Sequence, residues 1–146
     1  MTKTATAMSI AAFAIAAMVT GPSFAKELKG EEIAKLFIGN TVEYKNPRNS
    51  RSGAPGTVHV WVYYENAKMR KGMGDFRFVM GNGEEKVIPL EYERAWRISE
   101  KGEYCSINSR DEETCRTVSV NGDTVTLSNA NGSVTGKYHK GNPKGL

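Results

Sequence analysis

The chain has 146 residues, with 20 Lys and Arg against 16 Asp and Glu, a formal net charge of +4 and 39 % hydrophobic residues. That length supports one domain, and the mild basic excess is dispersed, with no block of about five or six like charges that would mark a nucleic-acid-binding arm or a charged tail. Nucleic acid is therefore excluded as an expected partner.

The first residues read as a secretory leader. Lys3 gives a positive start, an apolar run covers 8–19, Gly21 and Pro22 break it, and Ser23-Phe24-Ala25 offers small residues where a signal peptidase inspects them. Cleavage is expected before Lys26, giving a signal peptide 1–25 and a single β-rich domain 26–146. The rival reading is a membrane anchor, but the run is well short of the ~18 apolar residues a spanning helix needs. No cysteine stands at the cleavage point, which argues against lipid anchoring. Removing Lys3 with the leader leaves 19 basic against 16 acidic residues. The mature protein is expected to be soluble, not membrane-spanning, and periplasmic or secreted.

Ile33, Leu36 and Phe37 recur at helical spacing, with Glu31 and Glu32 in the first turn and Gly39-Asn40 just past the end. This predicts one short amphipathic helix over 30–38, its apolar face plugging or lidding the rest. A strand is predicted over 41–45. The stretch 46–56, NPRNSRSGAPG, has no large apolar residue and reads as a long exposed loop carrying Arg48 and Arg51.

Residues 57–64, TVHVWVYY, alternate cleanly. Val58, Val60, Val62 and Tyr64 form the expected core face. His59, Trp61 and Tyr63 on the other face either pack under the helix or line a binding cavity, since Trp and Tyr are common anchors at such sites. Gly72 and Gly74 predict a bulge or bend in the next strand, where Phe76, Phe78 and Met80 share a face. Asn82-Gly83 reads as a turn. Ile88, Leu90 and Tyr92 share a face, and Pro89 on the opposite parity predicts an edge or a break. Strands follow around Trp96 and Ile98, around Tyr104 to Ile107, at 115–120, 123–128 and 133–139, with Asn121-Gly122 and Asn131-Gly132 as hairpin turns. The pattern predicts a mainly β fold: a single small antiparallel barrel or strongly curved sheet of about eight strands with one short N-terminal helix.

Cys105 and Cys115 are the only cysteines, so in a monomer they can pair only with each other. In an exported chain a disulfide is expected over a pair of buried thiols. Closing so short a loop restricts the unfolded chain by roughly 2–3 kcal/mol.

Motifs for chemistry are scarce. His59 and His139 have no carboxylate or thiol at ligand spacing, so no metal and no cofactor is expected. There is no G-x-S-x-G elbow and no phosphate-cradling glycine run. The carboxylate groups Glu91 with Glu93, and Asp111 with Glu112 and Glu113, read as solvated charge, since an acid/base pair needs one carboxyl in an apolar setting. No catalytic residue is assigned and no enzyme is expected.

The segments GEEIAKLFIGNT, the tyrosine pair Tyr63-Tyr64, Trp96, Tyr104-Cys105, Cys115, the NGD of Asn121 to Asp123 and the closing Gly141-Asn142 resemble a family of small exported alphaproteobacterial proteins that share a domain of unknown function. That family often has a glycine shortly before its tryptophan, where this chain has Arg94-Ala95. The resemblance implies a β-rich envelope protein and brings no activity with it.

Two functions follow as expectations. In the first, the protein is an exported non-enzymatic binding protein that holds a small apolar ligand, with His59, Trp61 and Tyr63 as lining. In the second, it is an inhibitor or interaction protein acting on another exported protein through the 46–56 loop, with Arg48 and Arg51 reaching an acidic surface. A weak enzyme using buried carboxylates is a third.

Overall fold

The structure is a computed structural model describing residues 25–146; the expected leader, apart from Ala25, lies outside the described residues. Nine strands and one helix follow in order: β1 (Lys26–Leu28), α1 (Glu31–Phe37), β2 (Thr41–Asn49), β3 (Pro55–Tyr64), β4 (Met69–Val79), β5 (Glu85–Ile98), β6 (Tyr104–Ile107), β7 (Glu113–Asn121), β8 (Thr124–Asn129) and β9 (Gly132–His139). Each strand from β2 to β9 pairs antiparallel with the next, and β9 pairs back onto β2, closing an eight-stranded up-and-down barrel. Closure removes the free edges that an open meander would expose. β1 pairs with the edge of β7 that β6 leaves free beyond Arg116, and its Leu28 joins the core. No helix among the described residues is long and apolar enough to cross a membrane.

The helix closes one end. Gly30 begins it at a positive φ of 55° without a side-chain cap, so the glycine supplies the backbone freedom rather than a hydrogen bond. Ile33 and Phe37, one turn apart, are fully buried. Phe37 stacks on Tyr64 at 4.5 Å between ring centroids and meets Tyr104 edge-on at 5.4 Å; Tyr64 meets Trp96 edge-on at 5.2 Å. The Trp96 Nε1–H donates to the Asn66 carbonyl oxygen at 2.8 Å, so this large ring is buried with its polar atom satisfied. The valine face of β3 points inward: Val60, Val62 and Tyr64 join this core with Val42, Val118, Val125 and Leu127.

Cys105 and Cys115 stand opposite each other in the β6–β7 register and are joined. The bridge ties the shortest strand of the barrel to its neighbour.

Local readings change in two places and hold in a third. The 46–56 stretch is not a long loop: β2 runs to Asn49 and β3 begins at Pro55, leaving 50–54 as the hairpin turn. The β2 backbone leaves β9 after Tyr44, and the Asn46 side chain takes over, donating to the Thr135 carbonyl oxygen and accepting from its N–H. Pro47 lies beyond that point, on a free edge where its missing N–H costs nothing. Gly72 and Gly74 mark no bulge, because the β3–β4 and β4–β5 registers run unbroken through them. Instead the Tyr92 ring occupies the space a side chain at Gly72 would need, and the His59 backbone blocks one at Gly74. Pro89 sits where an edge was expected. β5 joins β6 only over Trp96–Ile98, and among the described residues no strand pairs with the outer edge of 85–95.

Candidate functional site

The ends of the barrel differ because its strands have unequal lengths. β2 to β5 extend beyond the last pairs that tie them to β9 and β6, forming a curved wall that overhangs the end opposite α1. Below the overhang lies a cavity of about 430 Å³, within the range of small-molecule sites. Its apolar wall includes Val58, Val62, Leu127 and Val134. Its polar lining comes from Tyr44, Tyr92, Tyr104, Asn46, Ser106 and three arginines, Arg48, Arg70 and Arg116; no residue lining it is acidic.

Strand parity places these groups. Arg70 shares the inward face of β4 with Gly72, Gly74 and Phe76, and the small glycines leave room for Tyr92 to lean over from β5. Arg116 shares the inward face of β7 with Val118. Arg70 is 9 % exposed. Its Nη2 donates to the Ile107 carbonyl oxygen at 3.3 Å, a group left free because β6 ends there. Its Nε is buried with no partner. The guanidinium carbon lies 5.5 Å from the centre of the Tyr92 ring.

Three tyrosine hydroxyls form a chain beside it. The Tyr64 hydroxyl is 2.9 Å from that of Tyr44 and 3.2 Å from that of Tyr104. Burial pushes all three phenols above their ordinary value, so they stay protonated and neutral. Three hydroxyl protons serve two links, so one proton has no acceptor within the chain.

Comparison with protein-family models, with curated proteins and with solved structures gave no match. The site must therefore be read from its own chemistry.

The residues singled out from sequence lie elsewhere. His59, Trp61 and Tyr63 occupy the opposite parity of β3 from Val58 and Val62, and none of them lines the interior cavity. Alternation forces this, because the face that lines a barrel this narrow is the one carrying the compact valines. On the outer surface the Glu43 carboxylate bridges two imidazoles, with His59 Nε2 at 2.6 Å and His139 Nε2 at 3.0 Å. Burial pushes the Glu43 carboxyl up, but hydrogen bonds from the two histidines outweigh it and hold it below the usual carboxylate range. The Trp61 and His139 rings meet at a tilt with centroids 4.6 Å apart, and Lys144 lies 4.5 Å over the same indole, so the C-terminal segment covers this face. His59 also borders a surface depression of about 400 Å³ with Lys45, Thr57, Asp75 and Arg77. Tyr63 is half-buried between Thr41 and Lys71 of the neighbouring strands.

Arg48 and Arg51 part company. Arg48 lies at the cavity rim with its guanidinium 5.7 Å from the centre of the Phe76 ring, while Arg51 is exposed in the β2–β3 turn. Glu91 and Glu93 are exposed, and Glu113 is held by Arg97 in a two-pronged pair at 2.6 Å. None of these carboxylates borders the cavity. Cys105, Cys115 and Glu113 place ligand-type atoms within 4.8 Å of one another, but the bridged sulfurs offer no thiolate to a metal.

Sequence reasoning missed Arg70, Arg116 and Tyr92. The signal was present: an arginine on the apolar parity of a strand, at Arg70 in line with Phe76 and Phe78, and at Arg116 in line with Val118.

Proposed function

We propose that this chain is a non-enzymatic binding protein that holds a small, largely apolar ligand inside its barrel, acting in an oxidising compartment as a periplasmic or secreted protein. The observation that carries this reading is the cavity of about 430 Å³ walled by Val58, Val62, Leu127 and Val134, with α1 plugging the opposite end. An apolar chamber reached from one side favours apolar solutes by the area it removes from water, roughly 25 cal/mol per Å². The disulfide supports the compartment, since such bridges persist where thiols are not kept reduced. The alternative, an inhibitor acting through 46–56, has less support: most of that segment is paired strand, and Arg48 is drawn over Phe76 while Arg51 alone stands at the tip.

Native mass spectrometry of protein recovered from the cell envelope, beside the same sample denatured, tests the reading. Extra mass present only in the native spectrum is expected. A clean apo mass, together with no uptake of the neutral probe N-phenyl-1-naphthylamine, would refute it.

A further inference from the structure

The cavity contains an unbalanced charge. Arg70 is 9 % exposed, keeps its guanidinium positive at any pH a folded protein meets, and has no ion-pair partner among the described residues. The neighbouring tyrosines are neutral phenols and cannot supply the missing negative charge. Arg116, on the same lining, has neither a hydrogen bond nor an ion pair among the described residues, and Arg48 stands at the rim. A buried cation without a counter-ion is costly, and proteins that keep one normally pair it. Here the described residues offer only the Ile107 carbonyl oxygen and the Tyr92 ring face, and leave Nε bare. The hydroxyl chain of Tyr44, Tyr64 and Tyr104 adds one more donor without an acceptor. The charged groups of the chamber are all cationic donors; the rest of its wall is aliphatic or aromatic apart from Ser106 and Asn46, whose amide is taken by Thr135.

We propose that the ligand is an amphiphile with a single anionic head, best matched by a carboxylate, which sits on Arg70 with Arg116 beside it while its apolar body lies along Val58, Val62, Leu127 and Val134. This rests on the reading of the barrel as a carrier and specifies what it carries. The carboxylate accepts from the Arg70 guanidinium where it lines the cavity and from the spare tyrosine proton, restoring neutrality to the buried end. Charge-assisted bonds of this kind are the strong ones, so the head group sets affinity while the tail sets fit.

The test is a matched set of probes: decanoate, decan-1-ol and inorganic phosphate, followed by calorimetric titration and by thermal shift at neutral pH. Decanoate is expected to bind at least about ten-fold tighter than decanol. Arg70→Met is expected to abolish that preference and at the same time to leave the ligand-free protein as stable as wild type or more so, because an uncompensated buried charge has been removed. An arginine with a purely structural role would give the reverse, a less stable protein with its preference intact, and that result would overturn the proposal. Should Arg70→Met fail to fold, Arg116→Gln at its half-buried position carries the comparison, with a reduced preference expected and an unchanged one counting against it. Equal binding of decanoate and decanol by the wild type would sink the anionic head while leaving the carrier reading intact. Binding of neither would remove both. A thermal shift from phosphate as large as that from decanoate would overturn the apolar half.

Discussion

At the α1 end of the barrel Phe37, Tyr64, Trp96 and Tyr104 interlock ring against ring and are almost fully buried, whereas at the opposite end Val87 and Ile88 stand 50 % and 44 % exposed. Both ends are built from the same strands. The contrast arises because one end gains a helix and the other loses its neighbours: β5 runs eleven residues past its junction with β6. Phe76, Phe78 and Ile88 continue the inward face of β4 and β5 above the last closed turn of the barrel, in the same register rows as Val58 and Gly56. Apolar side chains that the sealed end uses to fill space therefore line a mouth at the other. Stability is concentrated where the barrel is plugged, and the proposed binding site lies where it is not.

Several substitutions would break or sharpen that contrast. Phe37→Ala should have the largest effect, destabilising by about 3–5 kcal/mol as a large buried ring is lost from a packed cluster, read by chemical denaturation. A smaller loss than this would mean that the helix is a detachable lid rather than a plug. Replacing both cysteines by serine should cost roughly 2–3 kcal/mol and should loosen β6 first, since among the described residues its strand neighbour other than β7 is the short run of β5 at Trp96–Ile98; hydrogen exchange at Tyr104 and Ser106 would report it.

Glu43→Gln should act on the outer surface and leave the cavity alone. The folded carboxyl sits below its ordinary value of 4.5, so its contribution is present above that value and is lost as pH falls through the depressed folded one. The variant should be about 1 kcal/mol less stable than wild type at neutral pH and should converge with it as pH falls from 4.5 through the depressed folded value, in thermal melts across that range. A constant gap at all pH values would contradict the charged role given to Glu43. Ile88→Thr, on the inward parity of β5 at the mouth, should change stability least, by no more than about 0.5 kcal/mol, yet should weaken uptake of a lipophilic probe. An effect on stability as large as that of Phe37→Ala would erase the distinction between the two ends.

Much of the scaffold was legible in the residues. Alternation in TVHVWVYY identified the inward valines, the spacing of Ile33 and Phe37 identified the plug, and regular turns every few residues implied an antiparallel meander, with barrel and strongly curved sheet left as alternatives that the β9–β2 pairing decides. The site was not, for two physical reasons. A strand's length in a barrel is fixed by which neighbour continues beside it, so neither the early end of β6 nor the free edge of 85–95 is written in β5's own pattern, beyond the hint of Pro89. Large aromatics on an outward face also attract attention that belonged to charge on an inward one. Trp61 is covered by Lys144 and His139, residues far away in sequence, whereas Arg70 and Arg116 broke the rule that the apolar parity is apolar. Gly72 and Gly74 were read as a bend, but they make room for Tyr92 and for the β3 backbone. Close approach and sharp turning call for the same residue, and only the pairing register separates them.

The most direct test of the division between a sealed end and a binding end is methyl NMR during titration with decanoate. The methyl signals of Val58, Val62, Leu127 and Val134 should shift together and saturate at one equivalent, while those of Ile33 in the plug stay fixed and the indole signal of Trp61 on the outer face does not move. Shifts centred on Trp61, or on Ile33 with the cavity methyls unchanged, would contradict the account.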